Sequence, residues 1–369
     1  MPLPMLFQPL TMRSVTFANR IMVSPMGQCS AIDGCATNWH MMHLGNMAIS
    51  GAGALCIEAT AVSPSGRNTP VDLGIWGDKQ AEAIKPAIEF CRENSDARLG
   101  MQLWHVGRKG SVRPAWDRHK PIPKEEGGWD VYGPSDIPYP KRWVPVAMNA
   151  EQIAGVVSDF AAAAQRADQL GLDFLEVHGA HGYLLHNFLS PLTNKRTDDY
   201  GGSLQGRMRF VLEVSKAVRA VWPDHKPLGI RLSCSDWVAG GWTIEDSIVL
   251  GKELKKLGYD YITASSGGSV PEQDINIGPG YQVPFAEAIK KEVGITTVAV
   301  GLITETRQAE AILAEGRADV VALARGMIYN PRWPWHAAVE LGVEPSFPVQ
   351  YERAHPAMRR TDFLKAKRD

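Results

Sequence analysis

Eight short β-rich runs, spaced along the whole chain, constrain its fold more than any other feature. They are Ile21–Ser24, Ala54–Ala59, Gly100–His105, Phe174–His178, Gly229–Ser233, Tyr261–Ser265, Thr297–Val300 and Val320–Ala324. Helical patterns separate them, among them Glu151–Leu170, Leu204–Trp222, Glu245–Leu257 and Glu305–Glu315, with Thr243 and Thr304 standing where N-caps belong. Strands alternating with helices mark βαβ units and a parallel sheet. Eight such units fit a closed barrel better than an open sheet, and 369 residues is a usual length for one. The expected fold is α/β: a single (β/α)8 TIM barrel domain over residues 1–369, with a long loop after strand three and a C-terminal tail.

The loop, from about Val106 to Met148, is rich in Pro, Gly and Trp and has no helical period. Loops of this length inside a compact domain are usually functional, and this one follows a strand whose C-terminal end faces the catalytic rim of such barrels. The tail, Glu344–Asp369, is also aperiodic. Hydrophobic residues at 44% supply a large core, and a formal net charge of −1 without charge blocks argues against nucleic acid or an anionic membrane as partner. The five cysteines form no close metal-type pair, which suits a reducing cytoplasm. The start, MPLPMLFQPL, lacks the pattern of a signal peptide, and no run approaches the roughly 20 apolar residues of a membrane span. A cytoplasmic location is the expectation.

Polar residues collect at the C-terminal ends of the expected strands: Gln102 on three, His178 on four, Arg231 on five and Arg325 just past eight. A barrel makes such distant positions neighbours around one mouth. His178 and His181 leave the same strand end, with Tyr183 two residues on. Two imidazoles suit hydrogen bonding to one carbonyl oxygen, and a phenol beside them suits proton delivery. The His-x-x-His spacing also permits a metal, but no carboxylate or thiolate at ligand spacing completes such a set, so no metal is expected. His186 is read as a packing residue. Ser265-Ser266-Gly267-Gly268 after strand six, Gly301 after seven and Arg325-Gly326 after eight make a plausible anion cradle. No Walker loop or Rossmann glycine fingerprint occurs in strand–helix context.

The chain resembles the Old Yellow Enzyme family over nearly its whole length, and within it the bacterial thermophilic-like, xenobiotic-reductase branch. The matching motifs are NRIMVSPM, EATAVSPSGR, MQLWHVGRK, HGAHGYLLHNFLSPLTNKRTDDYGGS, INIGPGYQVPFAEAIK, AVGLIT, RADVVALARGMIYNP and PVQYER. The resemblance implies noncovalent FMN, reduced by NADPH or NADH, and a ping-pong reduction of the activated C=C bond of an α,β-unsaturated carbonyl or nitro compound. It assigns Ser24, Pro25, Met26, Gly27, Ala59, Gln102, His178 and Arg231 to the flavin, and Gly301, Ala324 and Arg325 to its phosphate. It gives His178 and His181 the substrate oxygen, Tyr183 the proton to Cα, and Lys109 a contact with nicotinamide or substrate. Arg353 matches an arginine placed in a neighbouring subunit's site, which implies a homodimer or homotetramer.

Two positions depart from that branch, which carries a cysteine after the Pro-Met and a tyrosine two residues later. Here the run is Pro25-Met26-Gly27-Gln28-Cys29, so glycine takes the thiol's place and Cys29 the tyrosine's, in a substrate-contact slot. Either Gly27 changes flavin tuning, or it serves a backbone turn that admits no side chain. The competing readings are a flavin-free barrel lyase or aldolase acting on a phosphorylated substrate, and a dienoyl-CoA reductase-like flavoenzyme without its additional domains.

Overall fold

A computed structural model describes residues 2–354 of the chain. Eight parallel strands close into one barrel in chain order: β1 (Ile21–Val23), β2 (Ala54–Ala61), β3 (Arg98–Trp104), β4 (Phe174–Gly179), β5 (Leu228–Ser233), β6 (Tyr261–Ser265), β7 (Thr296–Ala299) and β8 (Val320–Leu323). The barrel shuts where β8 pairs with β1, Val321 opposite Ile21 and Leu323 opposite Val23. The helices are α1 (Asn38–Ala48), α2 (Asp78–Asn94), α3 (Ala150–Gln169), α4 (Leu184–Leu189), α5 (Leu204–Val221), α6 (Ile244–Lys256), α7 (Val283–Val293), α8 (Thr306–Ala314), α9 (Arg325–Tyr329) and α10 (Trp333–Glu340). Each strand lies close to the run that announced it. The tail beyond 354 lies outside the described residues.

Capping explains one agreement and one correction. Thr243 caps α6 through the Asp246 amide, and Asp246 returns the bond, closing a capping box. Thr304, the expected cap of α8, is not one: the N-cap is Glu305, which makes no side-chain cap bond. The Thr304 amide is held by Gln308 Oε1 at 3.3 Å and its carbonyl accepts Trp333 Nε1 at 2.6 Å, which keeps it one residue outside the helix.

Strand alternation divides the core in two. Outward residues such as Leu55, Leu99, Leu175, Ile230 and Ile262 pack with Phe160, Val214, Leu250 and Ile289 of the helices. Both faces of β2 are covered, as the near-continuous apolar run ALCIEATA requires of a strand buried on both sides. Inward residues Phe174, Tyr261, Val298 and Val320 pack with Met12, Val15 and Phe17. The last three belong to an N-terminal hairpin, Leu10–Met12 against Val15–Phe17, too short to be read from the sequence. Phe17 and Phe174 meet edge-on at 5.4 Å. Glycine makes room for these rings, since a Cβ at Gly100 would stand 2.3 Å from Phe174 and one at Gly229 2.2 Å from Tyr261. The hairpin thus plugs the barrel at the end where the strands begin.

The long loop after β3 covers part of the opposite end. It contains three short 3₁₀ turns and one two-residue strand pairing, Tyr132–Gly133 with Val146–Ala147. Arg108 is buried and fastens it, donating to the carbonyls of Ile137 (3.1 Å), Pro138 (3.2 Å) and Ser269 (2.5 Å). The Arg67 guanidinium sits 5.2 Å from the Trp76 ring and 5.0 Å from that of Trp129, tying this loop to the one after β2. Among the described residues, no helix is long and apolar enough to cross a membrane.

Candidate active site

The alternation that sends Phe174 and Tyr261 inward also sends Glu176, His178, Thr263 and Ser265 inward, nearer the strand C-termini. Register joins them across strands: Gln102 stands opposite Glu176, His178 opposite Arg231, and Arg231 opposite Thr263. Two adjoining cavities open above them. One, about 370 Å³, is lined by Ser24, Ser265, Ser266, Gln282, Gly301 and Arg325, among others. The second, about 280 Å³, is lined by Pro25, Gly27, Cys29, Glu58, Ala59, Asn68, Asp72, Gln102, Trp104, His178 and Tyr183. His181, Arg231 and Ala324 border both, so the two form one groove across the mouth.

The larger cavity suits an anion. Gly301 has φ +104°, and a Cβ there would stand 3.0 Å from Gln282. Arg325 opens the short helix α9 directly after β8 and is exposed on the rim. Loops after strands seven and eight with a short helix are the recurrent phosphate site of this barrel. Between the cavities, the buried Arg231 Nε has no protein partner, as a group awaiting an acceptor would.

Hydrogen bonds fix both histidines. Burial, and after it the Arg231 charge, holds each well below the usual imidazole range, so both are neutral at pH 7. His178 Nδ1 accepts the Ala180 amide at 3.2 Å, which leaves its proton on Nε2. His181 Nε2 lies 2.7 Å from Ser265 Oγ. Arg231 Nη2 (3.5 Å) and Gln282 Nε2 (3.4 Å) both donate to that Oγ and take up its two lone pairs, so the serine proton is left for His181 Nε2 and the imidazole proton is assigned to Nδ1. His181 has φ +59°, the left-handed turn that brings its ring back beside His178, with centroids 5.0 Å apart. Tyr183 completes the cluster, 5.0 Å from His178 and edge-on to Trp104 at 4.7 Å. Burial pushes its phenol up to about 12, so it stays protonated. His186 faces away, accepting the Gly182 amide at 2.8 Å on Nδ1 with Nε2 3.1 Å from Asp236.

The opposite wall is acidic, and the sequence reading missed it. Glu58 is the extra residue of a β-bulge, where pairing jumps from Ile57–Met101 to Ala59–Gln102. It is buried, accepts the Gln28 amide at 2.9 Å and lies 3.4 Å from His40 Nε2. Asp72 accepts the amides of Asn68 (2.7 Å) and Thr69 (3.0 Å). Burial raises both carboxyls. Cys29, at φ +47°, points its thiol at Asp72 Oδ1, 3.6 Å away. Burial, then Asp72 and Glu58, pushes that thiol up to about 12, which leaves it protonated and a poor nucleophile. A lone acid inside an apolar run, Glu58 in ALCIEATA or Glu176 in FLEVHG, was the available signal.

Gly27 is not confined to the left-handed region, and the one neighbour a Cβ would meet is Glu58 Oε2 at 3.9 Å. A side chain fits there, so the backbone-turn reading of this glycine does not hold.

Three residues assigned by resemblance line neither cavity. Met26 packs toward the outer core. Lys109 lies behind Tyr183, its ammonium on the carbonyls of His181 (2.8 Å) and Gly268, and 4.5 Å from the Tyr139 ring. Burial and two neighbouring arginines lower it to about 7. Arg353 is exposed on the turn Val349–Ala354. The segment leading into that turn borders a third cavity of about 350 Å³, formed with Asn19, Gly51, Ala52 and Asp96 where β1, β2 and β3 begin. That end of a barrel serves stability rather than chemistry.

A closed parallel barrel with an anion-ready cavity and two neutral imidazoles beside a phenol suits a barrel flavoenzyme, and the comparisons with known proteins agree. The model of the NADH:flavin oxidoreductase / NADH oxidase family matches residues 5–344. The chain is 44% identical over 352 residues to an NADPH dehydrogenase of Geobacillus sp. (strain WCH70), covering 95% of this chain and 98% of that one. It is 43% identical over 352 residues to an NADPH dehydrogenase of Bacillus cytotoxicus, covering 95% and 96%. Among solved structures, morphinone reductase superposes with a TM-score of 0.76 at 29% identity, over 94% of this chain and 91% of that one. A 2-naphthoyl-CoA reductase gives 0.83 at 25% identity, over 92% of this chain but 52% of that one.

The chain therefore belongs to the Old Yellow Enzyme family, NAD(P)H-dependent oxidoreductases that use FMN. The flavin-free lyase reading falls with that membership.

Proposed function

We propose that this enzyme reduces the activated C=C bond of α,β-unsaturated carbonyl or related nitro compounds. The observation that carries the reading is the pair of neutral imidazoles, His178 with Nε2–H and His181 with Nδ1–H, beside the protonated Tyr183. FMN supplies, when bound, two-electron hydride chemistry fed by NADPH or NADH. Gln102 and Arg231 would hold its ring system with Ser24, Pro25, Gly27 and Ala59 along the edge, and Gly301, Ala324 and Arg325 its phosphate. The two imidazole N–H groups bind the substrate's oxygen and stabilise the negative charge that grows there. Tyr183 delivers a proton to Cα, and Trp104 and Cys29 shape the space around the alkene. Neutral imidazoles suit this role, since they donate without altering the net charge of the cavity.

The test is consumption of NADPH by the FMN-loaded protein under anaerobic conditions, with and without cyclohexenone. Loss of absorbance that depends on the enone, with saturated ketone as product, is the expected outcome. NADPH consumption that is the same with and without the enone, with no saturated ketone formed, would refute ene reduction.

Two further expectations concern the cofactor. Arg325→Ala is expected to release FMN, because a phosphate dianion loses a charge-assisted partner; Arg231→Ala is expected to keep FMN but lower its potential, since the anionic reduced ring loses a cation. Fluorescence of released FMN and an anaerobic redox titration check the two in turn. Gly27→Cys is expected to fold, given the open space at its Cβ, and to shift the potential; a shift of 30 mV in a two-electron couple would correspond to about 1.4 kcal/mol. An FMN-loaded variant with the wild-type potential would show that position 27 does not tune the flavin.

The segment leading into Arg353 borders the end of the barrel where the strands begin, which supports reading Arg353 as a residue for the site of a second copy. A homodimer or homotetramer follows from this reading, and native mass spectrometry tests it.

A further inference from the structure

Beneath the groove, Glu176 is a buried acid to which none of these roles gives a part. It stands on the inward face of β4, 1% exposed, and borders neither cavity. Its Oε1 accepts from Gln102 Nε2 at 2.6 Å and its Oε2 from Thr263 Oγ1 at 2.5 Å. Both donors come from other strands, β3 and β6, so the carboxylate is clamped from two sides. Arg231, on the intervening β5, carries the positive charge that acts on the carboxylate and does border the groove. Burial is the largest influence on both groups, raising the carboxyl and lowering the guanidinium; after it, each charge favours the ionised form of the other.

Two consequences follow from elementary chemistry. The two close donors and the Arg231 charge favour the ionised carboxylate against its burial; an ionised carboxylate only accepts hydrogen bonds, so it draws the Gln102 nitrogen downward and leaves the amide oxygen for the groove. A negative charge next to a buried cation also offsets the field that the cation projects into a site of low effective dielectric.

We propose that Glu176 is a positioning residue for FMN: it sets which end of the Gln102 amide faces the flavin, and it offsets the Arg231 charge so that the flavin potential is held down. The proposal rests on FMN occupying the groove, and the visible absorption of each purified variant reports that separately from its potential. With Glu176→Gln the anionic reduced flavin gains from an unopposed cation. Reduced FMN is then expected to bind about tenfold more tightly relative to oxidised FMN, read as a rise of about 30 mV in the two-electron potential. Glu176→Asp keeps the charge and is expected to stay near the wild-type potential.

Anaerobic redox titration of the FMN-loaded proteins decides. An unchanged potential in Glu176→Gln overturns the proposal, as does an equal shift in Glu176→Asp, which would mark disturbed packing. Should Glu176→Gln fail to fold, Thr263→Val takes its place. That near-isosteric change removes one donor, raises the proton affinity of the carboxylate and so weakens its charge. A smaller shift of the same sign supports the proposal, and no shift overturns it.

Discussion

His178→Ala and His181→Ala are each expected to slow enone reduction by about a hundredfold or more, roughly 3 kcal/mol, the usual loss when one donor to a developing oxyanion is removed. Because the two imidazoles serve one oxygen, the double variant should lose less than the sum of the single losses. Flavin reduction by NADPH should be much less affected, since that half-reaction develops no negative oxygen. Stopped-flow measurement of the two half-reactions separates these outcomes. Wild-type rates with cyclohexenone in both single variants would remove the pair from substrate binding.

Tyr183→Phe is expected to retain FMN and to slow the oxidative half-reaction with enones by about 10²-fold, the lower end for loss of a positioned general acid. Substrates that need no carbon protonation, such as quinones, should be nearly unaffected. The phenol's rise to about 12 gives a further sign. Tyr183 remains protonated through the neutral and mildly alkaline range, so no alkaline limb between pH 7 and about 10 should trace to its ionisation. Equal losses for quinones and enones would mean that the ring only shapes the cavity.

The strand count and the placement of Gln102, His178 and Arg231 could be read from the sequence because β-rich runs, their order and polar residues at their C-terminal ends carry that information directly. The chain showed His178, His181 and Tyr183 as neighbours, since all three leave one strand end. The acidic wall was hidden for a physical reason. Glu58 enters the cavity through a one-residue bulge, and a strand covered on both faces has no alternation for a bulge to interrupt. Asp72 lies in a loop whose course depends on contacts with the β3 loop and on the Arg67 clamp between two tryptophans. Lys109 illustrates the converse: its motif is plain, but whether its ammonium enters the cavity or caps backbone carbonyls is decided by the fold of neighbouring loops. Likewise Thr304 looked like a cap in sequence, and only the pull of Trp333 on its carbonyl shows why it is not.

The hairpin wedged beneath the barrel governs traffic as well as stability. Among the described residues Phe17, Phe174 and Tyr261 seal the floor, so the groove opens at the strand C-termini, where the strapped loop after β3 covers part of the mouth. On the proposed reading, reductant and oxidant would use this opening in turn, so an excess of either would delay the other.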